Sequence, residues 1–100
     1  MNNPATFGSV ISAKRKQLSK SQKELAQQLE ISPQYLNDIE RDRRSPSSDA
    51  IVGSFADALD LPVAYLYYLA GKFPEDVRSA DASPEKVQEA MIAFRKVLLG

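Results

Sequence analysis

The side chains of this chain that could do chemistry crowd into one short stretch. Gln22, Lys23, Ser32, Gln34, Asn37, Asp38, Arg41, Arg43 and Arg44 all fall within 23 positions. Amides both donate and accept hydrogen bonds and guanidinium groups only donate, so this set is equipped for recognition rather than bond-making. The rest of the inventory agrees. There is no Cys and no His, which removes thiolate nucleophiles, imidazole bases and the commonest zinc ligands. Asp/Glu pairs occur without a recognisable acid/base context, and no Gly-rich phosphate loop is present. The expectation is a non-enzymatic protein with no cofactor and no metal.

One hundred residues is one domain's worth of chain, enough to bury a core but with little stability to spare. The absence of Cys fits a reducing cytoplasm. The start, MNNPATFGSV, lacks a basic segment followed by a long apolar run and does not read as a signal peptide. No stretch approaches the roughly 20 apolar residues of a membrane span. Net charge is zero, but it is unevenly distributed. Lys14–Arg44 carries eight basic and five acidic residues, a net +3, and Ser45–Gly100 carries five basic and eight acidic, a net −3. A basic face with an acidic back would turn the protein toward a polyanion, while random scatter on a solvated surface accounts for the same numbers.

These polar residues sit on predicted helices. Phe7, Val10, Ile11 and Leu18 form an apolar stripe over Thr6–Leu18, with Lys14, Arg15 and Lys16 between the apolar positions. Ser21-x-x-Glu24 is a capping box opening a second helix that buries Leu25, Ala26 and Leu29. Ser32-Pro33 opens a third, Ser32–Glu40, with Leu36 and Ile39 inward, Tyr35 partly buried, and Gln34, Asn37 and Asp38 on the other side. After the polar loop Arg41–Pro46, Ser47 is expected to cap Ser48–Leu59, whose inner face is Ile51, Val52, Phe55, Ala58 and Leu59. A fifth helix spans Val63–Ala70 and buries Leu66 and Leu69, with Tyr65, Tyr67 and Tyr68 around it as packing. Lys72–Ala82 reads as a connector, and Ser83-Pro84-Glu85 opens a last helix, Pro84–Leu98.

Ser21-Gln22-x-Glu24-Leu25-Ala26, Ile31-Ser32, Tyr35-Leu36-x-x-Ile39-Glu40-Arg41, Pro46-Ser47 and the closing ALDLPVAYLYYLAGK together resemble the lambda-repressor-like, Xre/Cro-type helix-turn-helix regulators. The resemblance covers about Phe7–Phe73 and implies an all-α fold: a five-helix DNA-binding domain, residues 1–73, followed by residues 74–100 as connector and C-terminal amphipathic helix. It implies double-stranded DNA as partner, with Ser32–Glu40 as the helix that enters the major groove. Gln34 and Asn37 are then the leading base readers, able to pair bidentately with adenine; Pro33 would touch a thymine methyl and Asp38 would accept from cytosine. Gln22, Lys23, Ser32, Arg41, Arg43 and Arg44 are the phosphate contacts it implies. Lys14, Arg15 and Lys16 would help if their side of the first helix faces the duplex. Glu40 is expected to be structural, facing an arginine or a backbone N–H, and Arg41 has pairing with Glu40 or Asp38 as its alternative role. The sequence departs from the family pattern where Glu30, Asp42 and Asp60 replace frequent glycines. Asp tolerates positive φ better than Glu, so a wider turn is expected at Glu30.

The apolar face of the last helix (Val87, Met91, Phe94, Leu98) is broader than a surface helix needs. It either folds back on its own domain, pairs with a second copy or binds a partner protein. The favoured expectation is a homodimeric transcriptional repressor, cytoplasmic, on a pseudo-palindromic operator. The alternative is an antitoxin-like interaction module whose C-terminal helix holds another protein.

Overall fold

Most of the helices begin where a Ser or Thr side chain takes up a first-turn N–H group. The computed structural model describes residues 5–100, so the first four positions of the N-terminal stretch read above for a leader lie outside it. Among the described residues there are seven helices and no strand: α1 Phe7–Gln17, α2 Gln22–Leu29, α3 Pro33–Glu40, α4 Asp49–Leu59, α5 Val63–Leu69, α6 Glu75–Arg78 and α7 Pro84–Leu99. The protein is all-α, five helices in the expected order followed by a C-terminal extension.

The caps of α2, α3 and α7 fall on the expected serines. Ser21 Oγ accepts from Glu24 N–H while Glu24 reaches back to Ser21 N–H. Ser32 Oγ accepts from Tyr35 N–H and Ser83 Oγ from Lys86 N–H, each with Pro at the first helical position. The cap of α4 is corrected: it is Ser48, which accepts from Ile51 N–H, rather than Ser47. Ser47 instead donates its backbone N–H to the Tyr35 hydroxyl, so a tertiary contact decided between two adjacent serines. The connector also differs, because Pro74 starts the one-turn helix α6 and Arg78 ties it to Asp49 at the start of α4.

The turn at Glu30 is not wider. Glu30 takes the left-handed conformation at φ 56°, and Ile31 N–H bonds back to Ala26 O at 3.0 Å, closing the helix as a glycine would. The same closure ends α1 at Ser19 (φ 57°), α3 at Asp42 (φ 58°) and α4 at Asp60 (φ 54°). In each the next residue's N–H bonds five residues back: Lys20 to Arg15, Arg43 to Asp38 and Leu61 to Ala56. Helix α5 uses a glycine for this, Gly71, and Lys72 N–H bonds back to Tyr67 O. Four non-glycine left-handed residues store strain on the order of 1 kcal/mol each, which the packing of the short helices offsets.

That packing centres on α4. Phe55, Val52 and Leu59 are fully buried, with Phe7 edge-on to Phe55 at 5.7 Å between ring centroids. Ile11, Leu25, Leu36, Ile39 and Leu66 close the core from the other helices. Leu18 is exposed rather than part of the α1 stripe, because α1 ends before it. The back of α3 is thus clamped by Leu36 and Ile39, leaving its other side free. No residue of α7 is buried; Phe94 of this helix lies beside Tyr68 of α5, 6.3 Å between ring centroids.

Candidate nucleic-acid interface

The face of α3 opposite Leu36 and Ile39 carries Pro33, Gln34, Asn37 and Asp38. Pro33 and Gln34 are exposed; Asn37 and Asp38 are half-buried. Gln34 Nε2 donates to Asp38 Oδ1 at 3.0 Å, one turn along the helix. Because that carboxylate already meets an amide donor, its charge on this face is partly offset. Asn37 leans the other way, toward α2, where its Oδ1 accepts from Gln22 Nε2 at 3.3 Å. The second helix therefore positions one of the polar side chains of the third.

Behind this pair lies a buried ion pair. Arg15 is 8% exposed and is the one charged residue buried among those described. Its Nε donates to Glu40 Oε2 at 2.7 Å, its Nη2 to Glu40 Oε1 at 2.9 Å, and its Nη1 to Lys20 O at 2.9 Å. Glu40 Oε1 also accepts from Gln22 Nε2 at 3.0 Å. Burial pushes the Glu40 carboxyl up, but the bonds from Arg15 and Gln22 and the charge of Arg15 outweigh it and hold the group below its ordinary range. The hydrogen bond to Glu40 raises Arg15 in turn. Of the three cations set between the apolar positions of α1, Lys14, Arg15 and Lys16, Arg15 does not face outward: its side chain is buried and spans α1, the α1–α2 turn and α3. Glu40 meets an arginine, as expected of it.

Around this centre the cations are outward. Lys23, Arg41, Arg43 and Arg44 are exposed. Arg41 forms no ion pair among the described residues, so its pairing with Glu40 or Asp38 is not made. Arg44 lies over the Tyr35 ring, 5.4 Å from its centroid, which fixes its stem by a cation–π contact. Tyr35, Arg44, Ser45, Ser47, Ser32 and Ile31 line an open cleft of about 590 Å³ beside the start of α3. Sequence reasoning missed Ser45, Ser47 and the anchoring role of Tyr35 here, because they converge only once α3 and α4 are placed. Asp42, also exposed, turns its carboxylate to the start of α1 instead. Its Oδ1 accepts from Gly8 N–H at 2.9 Å and its Oδ2 from Thr6 Oγ1 at 2.6 Å, capping α1 from the loop after α3. No group of residues with the makings of a metal site occurs among those described.

A short helix with an apolar back buried in the core, a polar front and exposed arginines after it is the arrangement of the DNA-binding helix-turn-helix class. The helix-turn-helix family model matches residues 11–66, and the chain belongs to this family of DNA-binding transcription regulators, with the lambda-repressor-like arrangement of five helices. A comparison with curated proteins gave no match. Among solved structures the chain is similar to SinR, the master regulator of biofilm formation, in complex with DNA: 30% identity over 61% of this chain and 97% of that one, TM-score 0.56. It is similar to the clp gene regulator ClgR from C. glutamicum at 25% identity over 80% of this chain and all of that one, TM-score 0.56. The SinR/SinI complex shares the fold at 21% identity, covering 95% of this chain, TM-score 0.56.

Proposed function

We propose that this protein is a sequence-specific transcriptional repressor that occupies a pseudo-palindromic operator as a homodimer, with α3 in the major groove. The observation that carries the reading is the two-sidedness of α3: Leu36 and Ile39 fully buried, Pro33 and Gln34 exposed. Gln34 and Asn37 read base edges, Pro33 offers a methylene surface to a thymine methyl, and Asp38 takes a cytosine amino group. Arg41, Arg43, Arg44 and Lys23 hold phosphates on either side, with Ser32 and the backbone N–H of Gln22 at the starts of α3 and α2. The protein acts by occupancy rather than catalysis, without a cofactor, in the cytoplasm where the DNA is.

Residues 1–73 supply the DNA-binding unit and 74–100 the association element. A sixteen-residue helix with no buried residue is marginal by itself, and Val87, Met91, Phe94 and Leu98 are all at least 41% exposed. Their 4-3-4 spacing reads the same in both directions, so an antiparallel pair of α7 helices sets Val87 against Leu98 and Met91 against Phe94 in each half, as a twofold axis requires. A second reading has one observation in its favour. Tyr67, Tyr68, Phe73, Val77, Met91 and Phe94 border an apolar groove of about 530 Å³ between α5, α6 and α7, and an antitoxin-like module would use it to hold a different protein.

The test is selection of bound duplexes from a random pool. The repressor reading expects two inverted half-sites about one helical turn apart. Gln34→Ala and Asn37→Ala should each cost about 1–3 kcal/mol and relax specificity at one position per half-site. A parent protein that enriches no sequence overturns the base-reading assignment.

A further inference from the structure

Hydrogen-bond polarity passes along four residues from the core to the recognition face. Arg15 is locked on Glu40 by two bonds. Glu40, held ionised by that arginine, can only accept. The Gln22 amide atom 3.0 Å from it must therefore be the nitrogen. That nitrogen can only donate, so the Asn37 atom 3.3 Å from it must be the oxygen. The usual ambiguity of amide orientation is removed at both residues by a carboxylate that cannot donate. What remains of Asn37 is its Nδ2, which meets no protein acceptor among the described residues. What remains of Gln22 is its Oε1.

We propose that Gln22 is a positioning residue for Asn37: the Arg15–Glu40–Gln22 relay presents Asn37 to the major groove with its amino group foremost, so that Asn37 reads a base-edge acceptor and rejects cytosine. This deepens the reading of α3 as a recognition helix and rests on it. Purine N7, guanine O6 and thymine O4 are acceptors in the major groove, whereas cytosine presents the N4 amino donor. A donor facing a donor is an unmade bond on both sides. The same polarity turns the Gln22 carbonyl, not its amino group, away from the cluster. A phosphate oxygen is an acceptor and gains nothing from that atom, so the side chain of Gln22 is not a phosphate anchor.

The two roles separate in binding titrations against the selected operator and its single-base variants. Gln22→Met keeps the length and apolar stem of the side chain at a half-buried surface position and removes both donors. The Asn37 amide can then rotate, and discrimination against cytosine at one position per half-site should fall roughly tenfold, the scale of one good base contact. Asn37→Ala should relax that same position, and the double variant should match Asn37→Ala. Glu40→Gln should also relax it, since an amide can present either atom, but it breaks a buried ion pair, so Gln22→Met carries the decision. A uniform loss of affinity across all duplexes with Gln22→Met, additive with Asn37→Ala, would show a phosphate contact and overturn the proposal. Unchanged base preference with Gln22→Met would overturn it too. A parent protein that selects no sequence overturns the recognition reading beneath it, and the two failures are thereby distinguishable.

Discussion

Two glycines in helices should respond to the same substitution with opposite signs. Gly8, in the first turn of α1, packs against the end of α3. A Cβ there would lie 2.3 Å from Ile39 O, 2.6 Å from Glu40 O and 2.7 Å from Asp42 Oδ1. Two of the three are backbone atoms at the end of α3, so the clash cannot be relieved by a side-chain rotation. Helix α1 would have to retreat by about an ångström, stretching the bond from Gly8 N–H to Asp42. Overpacking costs about 1–3 kcal/mol and a weakened charge-assisted hydrogen bond up to about 1.5–3. The helix-propensity gain of Ala over Gly returns at most about 1. Gly8→Ala is therefore expected to destabilise by about 2–4 kcal/mol. A Cβ on Gly53, in the middle of α4, would meet nothing within 4 Å, so only propensity acts and Gly53→Ala should stabilise by about 0.5–1 kcal/mol. Urea denaturation followed by far-UV circular dichroism reads both. At about 4–8 °C per kcal/mol for a domain of this size, thermal melts should move apart by more than 10 °C. A Gly8→Ala protein as stable as the parent would refute the close approach of α1 to α3.

Other positions give further tests. Glu30→Gly removes a left-handed non-glycine residue and should stabilise by up to about 1 kcal/mol in denaturant melts, since the relieved strain exceeds the added chain entropy. Arg15→Met leaves Glu40 buried without its cation and should cost about 3–5 kcal/mol, whereas Arg15→Met with Glu40→Met should recover most of it, a comparison read by equilibrium unfolding. Glu40 is held below its ordinary range chiefly against the cost of burial, by Arg15 and Gln22. Its contribution is complete above the unfolded carboxylate value of about 4.3 and is lost as pH falls through the lower folded value. Stability should drop below about pH 4 in the parent and show a shallower acid limb in the Arg15→Met/Glu40→Met protein. Met91→Glu with Phe94→Glu should convert a dimer to a monomer in sedimentation equilibrium while leaving the helical signal of α1–α5 intact; an unchanged mass would exclude α7 as the association surface.

The local signals in this chain were legible where a side chain acts on its own turn. Ser21 with Glu24, and Ser32 with Pro33, opened α2 and α3 because the cap and the helix it starts are within three residues. What escaped the sequence is set across distance. Arg15 stands between apolar positions as a solvent-facing cation would, and only its partner 25 residues on makes it a core residue. Ser47 and Ser48 are equivalent by composition, and the Tyr35 hydroxyl chose between them. Glu30 looked too bulky for a left-handed turn, yet the bond from Ile31 to Ala26 and the packing of α2 and α3 impose it. The candidate readers were visible as a polar head on α3, but their orientation was not, because it descends from a buried carboxylate. For α7 the broad apolar face was plain and its occupant was not, since nothing within the described chain buries it.

If α3 enters the major groove as proposed, the protein discriminates between DNA sequences rather than merely adhering to a polyanion. The most direct measurement is the ratio of affinities for a selected operator and a scrambled duplex of equal length and composition, at about 150 mM salt. Specific binding by this class of interface exceeds non-specific binding by roughly 10³-fold or more, and that ratio is the expected result. A ratio near one, with both affinities falling in parallel as salt rises, would mean that the arginines alone bind and would contradict the account.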